Sequence, residues 1–131
     1  MLRKNSKVYC KDNTGVKLVK IFQVKGSRHK RKANLGDMVL VVIKARNLKS
    51  KNMKNTRQIR RFRRGSVHRA LVVNVNSWYY RPIGIYIRWT ENAVVLVNKK
   101  KIPLGTKIYA ILTKEFMNKY PALGSICHNV I

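Results

Sequence analysis

Apolar residues along this chain come in short β-branched runs broken by turn signals, and helical spacing is nearly absent before residue 110. Val8 and Cys10 alternate with Tyr9 and Lys11, after which Asp12, Asn13, Thr14 and Gly15 supply a turn in which glycine makes a positive φ cheap. A hairpin into a second strand over residues 16–25 follows. There Val16, Leu18, Phe22 and Val24 share one phase while Val19 and Ile21 hold the other, so the strand is either two-sided or bulged. Residues 26–32 read as a loop. Gly36 and Asp37 then turn the chain into residues 38–45, apolar enough for a central strand buried on both faces.

Strand character returns over 67–75, where Val67, Leu71, Val73 and Val75 share a phase, and again over 85–90 and 93–98. Arg81, Pro82, Ile83 and Gly84 form the turn between the first two of these. Residues 99–105 turn once more before a last strand over 106–112. Leu112, Phe116, Met117 and Tyr120 then fall at i, i+4, i+5 and i+8, one helical face stopped by Pro121. The pattern predicts an all-β-dominated chain, a small closed or partly closed β-barrel with a short terminal helix packed on it.

Charge changes what such a barrel is for. Among 131 residues, 30 are Lys or Arg and only 4 are acidic, giving a net charge of +26. One domain fits this length, and 39 Leu, Ile, Val and Phe residues are enough to fold it. Self-repulsion at this charge destabilises a bare compact monomer, so a polyanion belongs to the working state: nucleic acid or an anionic membrane. The longest uninterrupted apolar run is the six residues that begin at Met38, far short of the ~20 needed to span a bilayer, and no membrane partner is expected.

Three basic clusters are candidate RNA contacts. Arg28, His29, Lys30, Arg31 and Lys32 are five consecutive basic side chains that repel one another unless anions screen them. The stretch 46–66 reads as a long basic loop. It carries Lys49, Lys51, Lys54, Arg57, Arg60, Arg61, Arg63 and Arg64, with guanidinium groups suited to bidentate phosphate contact. Phe62 among them either stacks on a base or anchors the loop. Lys99, Lys100 and Lys101 sit on a turn.

Catalytic chemistry has little footing. Asp12, Asp37, Glu91 and Glu115 are scattered, and His29, His68 and His128 lack metal-ligand spacing to Cys10, Cys127 or each other. Glycine-rich phosphate loops are absent. No enzyme activity, metal or cofactor is expected, and both cysteines read as buried free thiols.

The blocks DNTGVKLVKIFQVKGSRHKRKANLGDMVLVVIKA at 12–45, RGSVHRALVVNV at 64–75, ENAVVLVN at 91–98 and PLGTKIYAILTKEF at 103–116 resemble the fourteenth universal family of large-subunit ribosomal proteins. The resemblance covers nearly the whole chain. It implies a single domain over 1–131, built as a five-stranded β-barrel with a protruding β-ribbon at about 74–89 and short C-terminal helices within about 113–131. It also implies binding to large-subunit rRNA at the face that meets the small subunit. Partners there are the third and nineteenth universal large-subunit families and the small-subunit rRNA, with a part in inter-subunit bridges. A free single-strand RNA chaperone on a small barrel is the alternative, and an RNA-binding barrel of that kind spreads aromatics over one strand face.

Departures from the family pattern carry information of their own. Gly84, Asn92, Val95 and Leu96 are kept, but Ile83 replaces a polar turn residue and Trp89 an aromatic of another kind. The stretch 74–80 holds Trp78, Tyr79 and Tyr80 where bacterial relatives carry mostly Arg and Lys, and extra residues lie within 47–59. Such drift resembles mitochondrial members. Residues with AT-rich codons (Phe, Tyr, Met, Ile, Asn, Lys) number 54 against 28 Gly, Ala, Arg and Pro, and the stretch before residue 7 is too short for an amphipathic presequence, so none is expected. Together these point to the mitochondrial matrix and an organelle-encoded copy. Trp78, Tyr79 and Tyr80 are base-stacking platforms or a protein interface. Without the cations that counterion release requires, the ribbon is expected to pack with Ile83 against another ribosomal protein, one particular to this lineage.

Overall fold

The computed structural model describes residues 2–26, 29–47 and 61–131. Its strands are β1 (Leu2–Arg3), β2 (Lys7–Cys10), β3 (Val16–Val24), β4 (Lys32–Ala33), β5 (Met38–Arg46), β6 (Val67–Asn74), β7 (Tyr79–Tyr80), β8 (Tyr86–Ile87), β9 (Ala93–Val97), β10 (Ile108–Leu112) and β11 (Cys127–Val130). Two short helices, α1 (Lys114–Lys119) and α2 (Pro121–Gly124), lie between β10 and β11. Strands β2, β3, β5, β6 and β9 close into a five-stranded barrel, antiparallel throughout except where β2 meets β9 in parallel. Closure removes the sheet edges that an open five-stranded sheet would expose.

The double phase of β3 is resolved by bulges. Its ladder with β5 shifts between Leu18 and Val19 and again between Ile21 and Gln23, so Val16, Val19, Ile21 and Val24 all reach the core. Phe22, grouped by simple alternation with Val16 and Val24, is turned outward and half exposed. A further shift between Val72 and Asn74 brings Val75 into the barrel interior while Leu71 and Val73 face the other way. Val67, at the start of β6, stays exposed.

Two apolar clusters result. The barrel interior is filled from all five strands, with Val8, Ile21, Val41, Val72 and Leu96 among its members. The second cluster lies on the outer side of β6 and β9, where Leu71, Val95 and Val97 meet Ile108, Leu112, Phe116, Tyr120 and Leu123. Burial on both faces therefore falls to β6 and β9, and Leu40 and Val42 of β5 are only half buried. Thr113 caps α1 by accepting the Phe116 N–H at 3.2 Å. Pro121 ends α1 as expected and opens α2 at its first position, after which the chain returns to a strand beside β10. The Tyr120 hydroxyl donates to the Gly36 carbonyl at 2.8 Å, tying α1 to the turn before β5. Gly36 holds φ +83 there, a conformation that side chains disfavour.

Asp12 is the polar pin of the interior. Its carboxylate is buried and accepts from the Thr14 N–H at 3.1 Å, the Thr14 hydroxyl and the Leu96 N–H at 3.1 Å. Burial pushes the carboxyl above its ordinary range, although the Thr14 and Leu96 donors oppose this. The neighbouring Cys10 thiol is pushed well up, by burial first and then by Asp12. Both cysteines are free and buried, and a thiol in that state is unreactive. Asp12→Ala leaves two buried N–H groups without an acceptor. It is expected to cost ~1–3 kcal/mol in urea unfolding, with the denaturant dependence unchanged. An unaltered midpoint would contradict this role.

Candidate nucleic-acid interface

All four acidic side chains are already engaged. Asp12 serves the backbone, Asp37 pairs with Lys30 at 2.8 Å, Glu91 pairs with Lys11, and Glu115 pairs with Arg81 at 3.1 Å. Exposed cations among the described residues, such as Arg31, Lys32 and Arg64, have no carboxylate partner.

In the first cluster, His29, Arg31 and Lys32 are exposed and Lys30 is half buried against Asp37. Asp37 also accepts the Asn34 N–H at 2.8 Å, the turn-forming use of that carboxylate. Arg28 lies outside the described residues, as do Lys49, Lys51, Lys54, Arg57 and Arg60 of the basic loop.

At the end of that loop, Phe62 is 3 % exposed and part of the barrel core, so it anchors the chain and has no free face for a base. The Gly65 N–H donates to the Ile43 carbonyl at 2.8 Å, and Ser66 bonds back to the Arg63 carbonyl. Arg61, Arg63 and Arg64 are thus exposed cations on a segment fixed to the barrel, an arrangement that lowers the entropy lost on gripping a phosphate. Lys99, Lys100 and Lys101 occupy a turn ordered by the Asn98 side chain, which accepts the Lys100 and Ile102 N–H groups at 2.9 and 3.0 Å. Lys101 lies over the Tyr120 ring, 5.3 Å from its centroid.

His68 reports on the arginine cluster. Its ring lies 5.3 Å from that of Phe62 and its Nε2 is 3.0 Å from the Ser66 hydroxyl. Burial lowers its pKa, and the Arg61 charge adds to this against a backbone hydrogen bond. A His held below its ordinary value contributes stability above pH ~6.5 that is lost as pH falls through the lowered value. In an NMR titration the His68 midpoint is expected below that of a free imidazole, and to rise when phosphate groups occupy the Arg61 side of the ring. A midpoint at or above ~6.5 in the free chain would refute this.

The ribbon of β7 and β8 divides into two sides. Inward, Trp89 is buried and donates its Nε1–H to the Ile111 carbonyl at 3.1 Å, with the half-buried Tyr79 ring 6.4 Å away. Arg81 clasps the base of the ribbon to the C-terminal elements, reaching Glu115 and the Ile131 carbonyl. The Glu115 carboxyl is held below its usual range, by its own backbone N–H first and by Arg81 after burial has opposed it. Outward, Trp78, Tyr80 and Ile83 are 68, 55 and 64 % exposed. Ile85 and Tyr86 join them, Tyr86 as the cross-strand partner of Tyr80 with ring centroids 5.0 Å apart. Sequence reasoning did not name Tyr86 as a site residue, although its place opposite Tyr80 across the five residues 81–85 signals it.

Among the described residues, no group of three or more His, Cys, Asp or Glu could hold a metal, and no helix is long and apolar enough to cross a membrane. Barrel, charge and ribbon define the class: a cationic five-stranded β-barrel with an exposed aromatic ribbon. The chain belongs to the ribosomal protein L14p/L23e family, whose family model matches residues 1–131. It is 30 % identical over 131 residues to the large ribosomal subunit protein uL14 of Petrotoga mobilis, covering 99 % of each chain. It is also 37 % identical over 109 residues to the large ribosomal subunit protein uL14m of Schizosaccharomyces pombe, covering 83 % of this chain and 82 % of that one.

Proposed function

We propose that this protein, a structural, non-enzymatic constituent of the large ribosomal subunit, binds large-subunit rRNA through phosphate contacts near the subunit interface and supports inter-subunit bridging. The observation that carries the reading is a family match over the full chain combined with 30 Lys and Arg that the four acids hardly offset, leaving a net charge of +26. Arg31, Lys32, Arg61, Arg63, Arg64, Lys99 and Lys100 are exposed and suited to phosphate oxygens. Neighbours from the third and nineteenth universal families, small-subunit rRNA and a lineage-specific protein on the ribbon complete the partner set. The higher identity to uL14m supports a mitochondrial ribosome as its setting.

Comigration is the test. An epitope-tagged chain is expected in the large-subunit and monosome peaks of a mitochondrial lysate gradient. Recovery only in light fractions would favour a free RNA chaperone and overturn the reading.

A further inference from the structure

Phe22 sits on a barrel strand yet is 50 % exposed, because the bulge between Ile21 and Gln23 turns it out of the core. It forms one wall of an open groove of about 790 Å³, whose other walls include Arg3, Lys4, Lys25, Lys30 and Arg31. Lys30 is neutralised by Asp37, but among the described residues Arg3, Lys4, Lys25 and Arg31 have no carboxylate partner. Lys4 Nζ stands 5.9 Å from the Phe22 ring centroid. The short β1–β4 ladder sets Arg3 directly opposite Lys32, and like charges so placed are destabilising without an anion between them. Neither Arg3, Lys4 nor Phe22 stands out in the sequence as a binding residue.

A half-exposed aromatic ring bordered by cations without carboxylate partners, one of them, Lys4, movable from over the ring, matches one ligand chemistry: a flat base joined to phosphates. We propose that this groove receives an unpaired nucleotide of rRNA, its base stacked on Phe22 and its flanking phosphates held by Arg3, Lys4, Lys25 and Arg31. The inference rests on the rRNA-binding reading above and adds to it a site that distinguishes single-stranded from paired RNA. Bases inside a duplex are already stacked and cannot offer a face to Phe22, whereas splayed bases can. The cations would serve either form.

The test uses the full chain, a fluorescein-labelled single-stranded RNA hexamer and a labelled blunt RNA duplex, read by anisotropy. Phe22→Leu is expected to weaken hexamer binding about tenfold while duplex binding stays within about twofold, in line with the worth of one stacked base. Phe22→Tyr should restore hexamer affinity. Arg31→Ala should lower the salt slope by about one for both ligands, while Phe22→Leu leaves that slope unchanged. Phe22 is half exposed, and retention of the thermal transition by the Leu variant confirms that folding is not being measured. Equal loss on both ligands, or none on either, overturns the groove assignment while leaving rRNA binding standing. Displacement of the hexamer by an acidic peptide that binds the wild type but not Phe22→Leu reassigns the groove to a protein partner. A wild-type chain that binds neither RNA overturns both readings.

Discussion

Raising monovalent salt from about 50 to about 200 mM is expected to weaken the affinity of the folded chain for a large-subunit rRNA fragment by roughly 10³-fold, the loss that about six phosphate contacts impose. The charge distribution sets the scale. Three of the four carboxylates are tied up in ion pairs and the fourth is buried, so counterions released from RNA are replaced by protein cations with little internal competition. The segment at 61–66 supplies a decisive comparison. Phe62 and the Gly65-to-Ile43 hydrogen bond hold it in place, whereas Arg61, Arg63 and Arg64 are exposed. The triple variant Arg61→Ala, Arg63→Ala, Arg64→Ala should therefore keep a cooperative thermal transition and lose about three from the slope of log affinity against log salt. Phe62→Ala acts the other way. It opens a cavity in the barrel core and should cost ~3–5 kcal/mol of stability before any effect on RNA is read. Affinity that holds steady across this salt range would remove the phosphate-binding model.

The barrel was legible in the sequence because period-2 alternation, turn residues and β-branched runs all agree on where strands begin and end. What alternation could not place are the positions after a bulge. Phe22 and Val75 each sit one register step away from where strict alternation puts them, since an inserted residue exchanges the two faces of a strand. The chemistry of the basic loops was visible as composition, but their geometry was not. That Lys30 is spent on Asp37 depends on the geometry of the turn between them, and that Phe62 is an anchor and that Arg3 and Lys4 join the Arg31 side of the barrel depend on contacts between residues far apart in sequence. Asp12 read as a turn residue, and its partner Leu96 lies 84 positions away. The strand β11 was hidden for a related reason. Cys127, His128, Asn129 and Val130 have weak alternation, and only pairing with β10 makes them a strand.

Trp78→Ala is expected to weaken attachment of the ribbon's neighbour in the assembled particle by about 30-fold or more, and the pair with Tyr80→Ala by more still. Trp and Tyr at the centre of an interface each contribute ~2 kcal/mol or more when truncation is measured. The geometry distinguishes contact residues from supports. Trp78, Tyr80, Ile83, Ile85 and Tyr86 form an exposed apolar surface, whereas Tyr79 packs toward buried Trp89 and Arg81 ties the ribbon to Glu115. Tyr79→Ala should therefore lower the stability of the free chain, and Trp78→Ala should leave it nearly unchanged, since its side chain is mostly exposed, with the Arg88 guanidinium 5.3 Å from the ring. Beside the rings a hollow of about 380 Å³, walled in part by Leu35 and Val75, is large enough to accept a side chain from the partner. Cationic ribbons are held by phosphates and weaken with salt. An aromatic ribbon held by apolar burial should resist salt that strips the barrel from RNA. Particles carrying Trp78→Ala and Tyr80→Ala, isolated at low salt and analysed by cross-linking and mass spectrometry, should retain this chain and lose the neighbour cross-linked at 78–86. A structure of the particle that leaves Trp78 and Tyr80 in open solvent, or lays them on unpaired bases, would refute the protein contact.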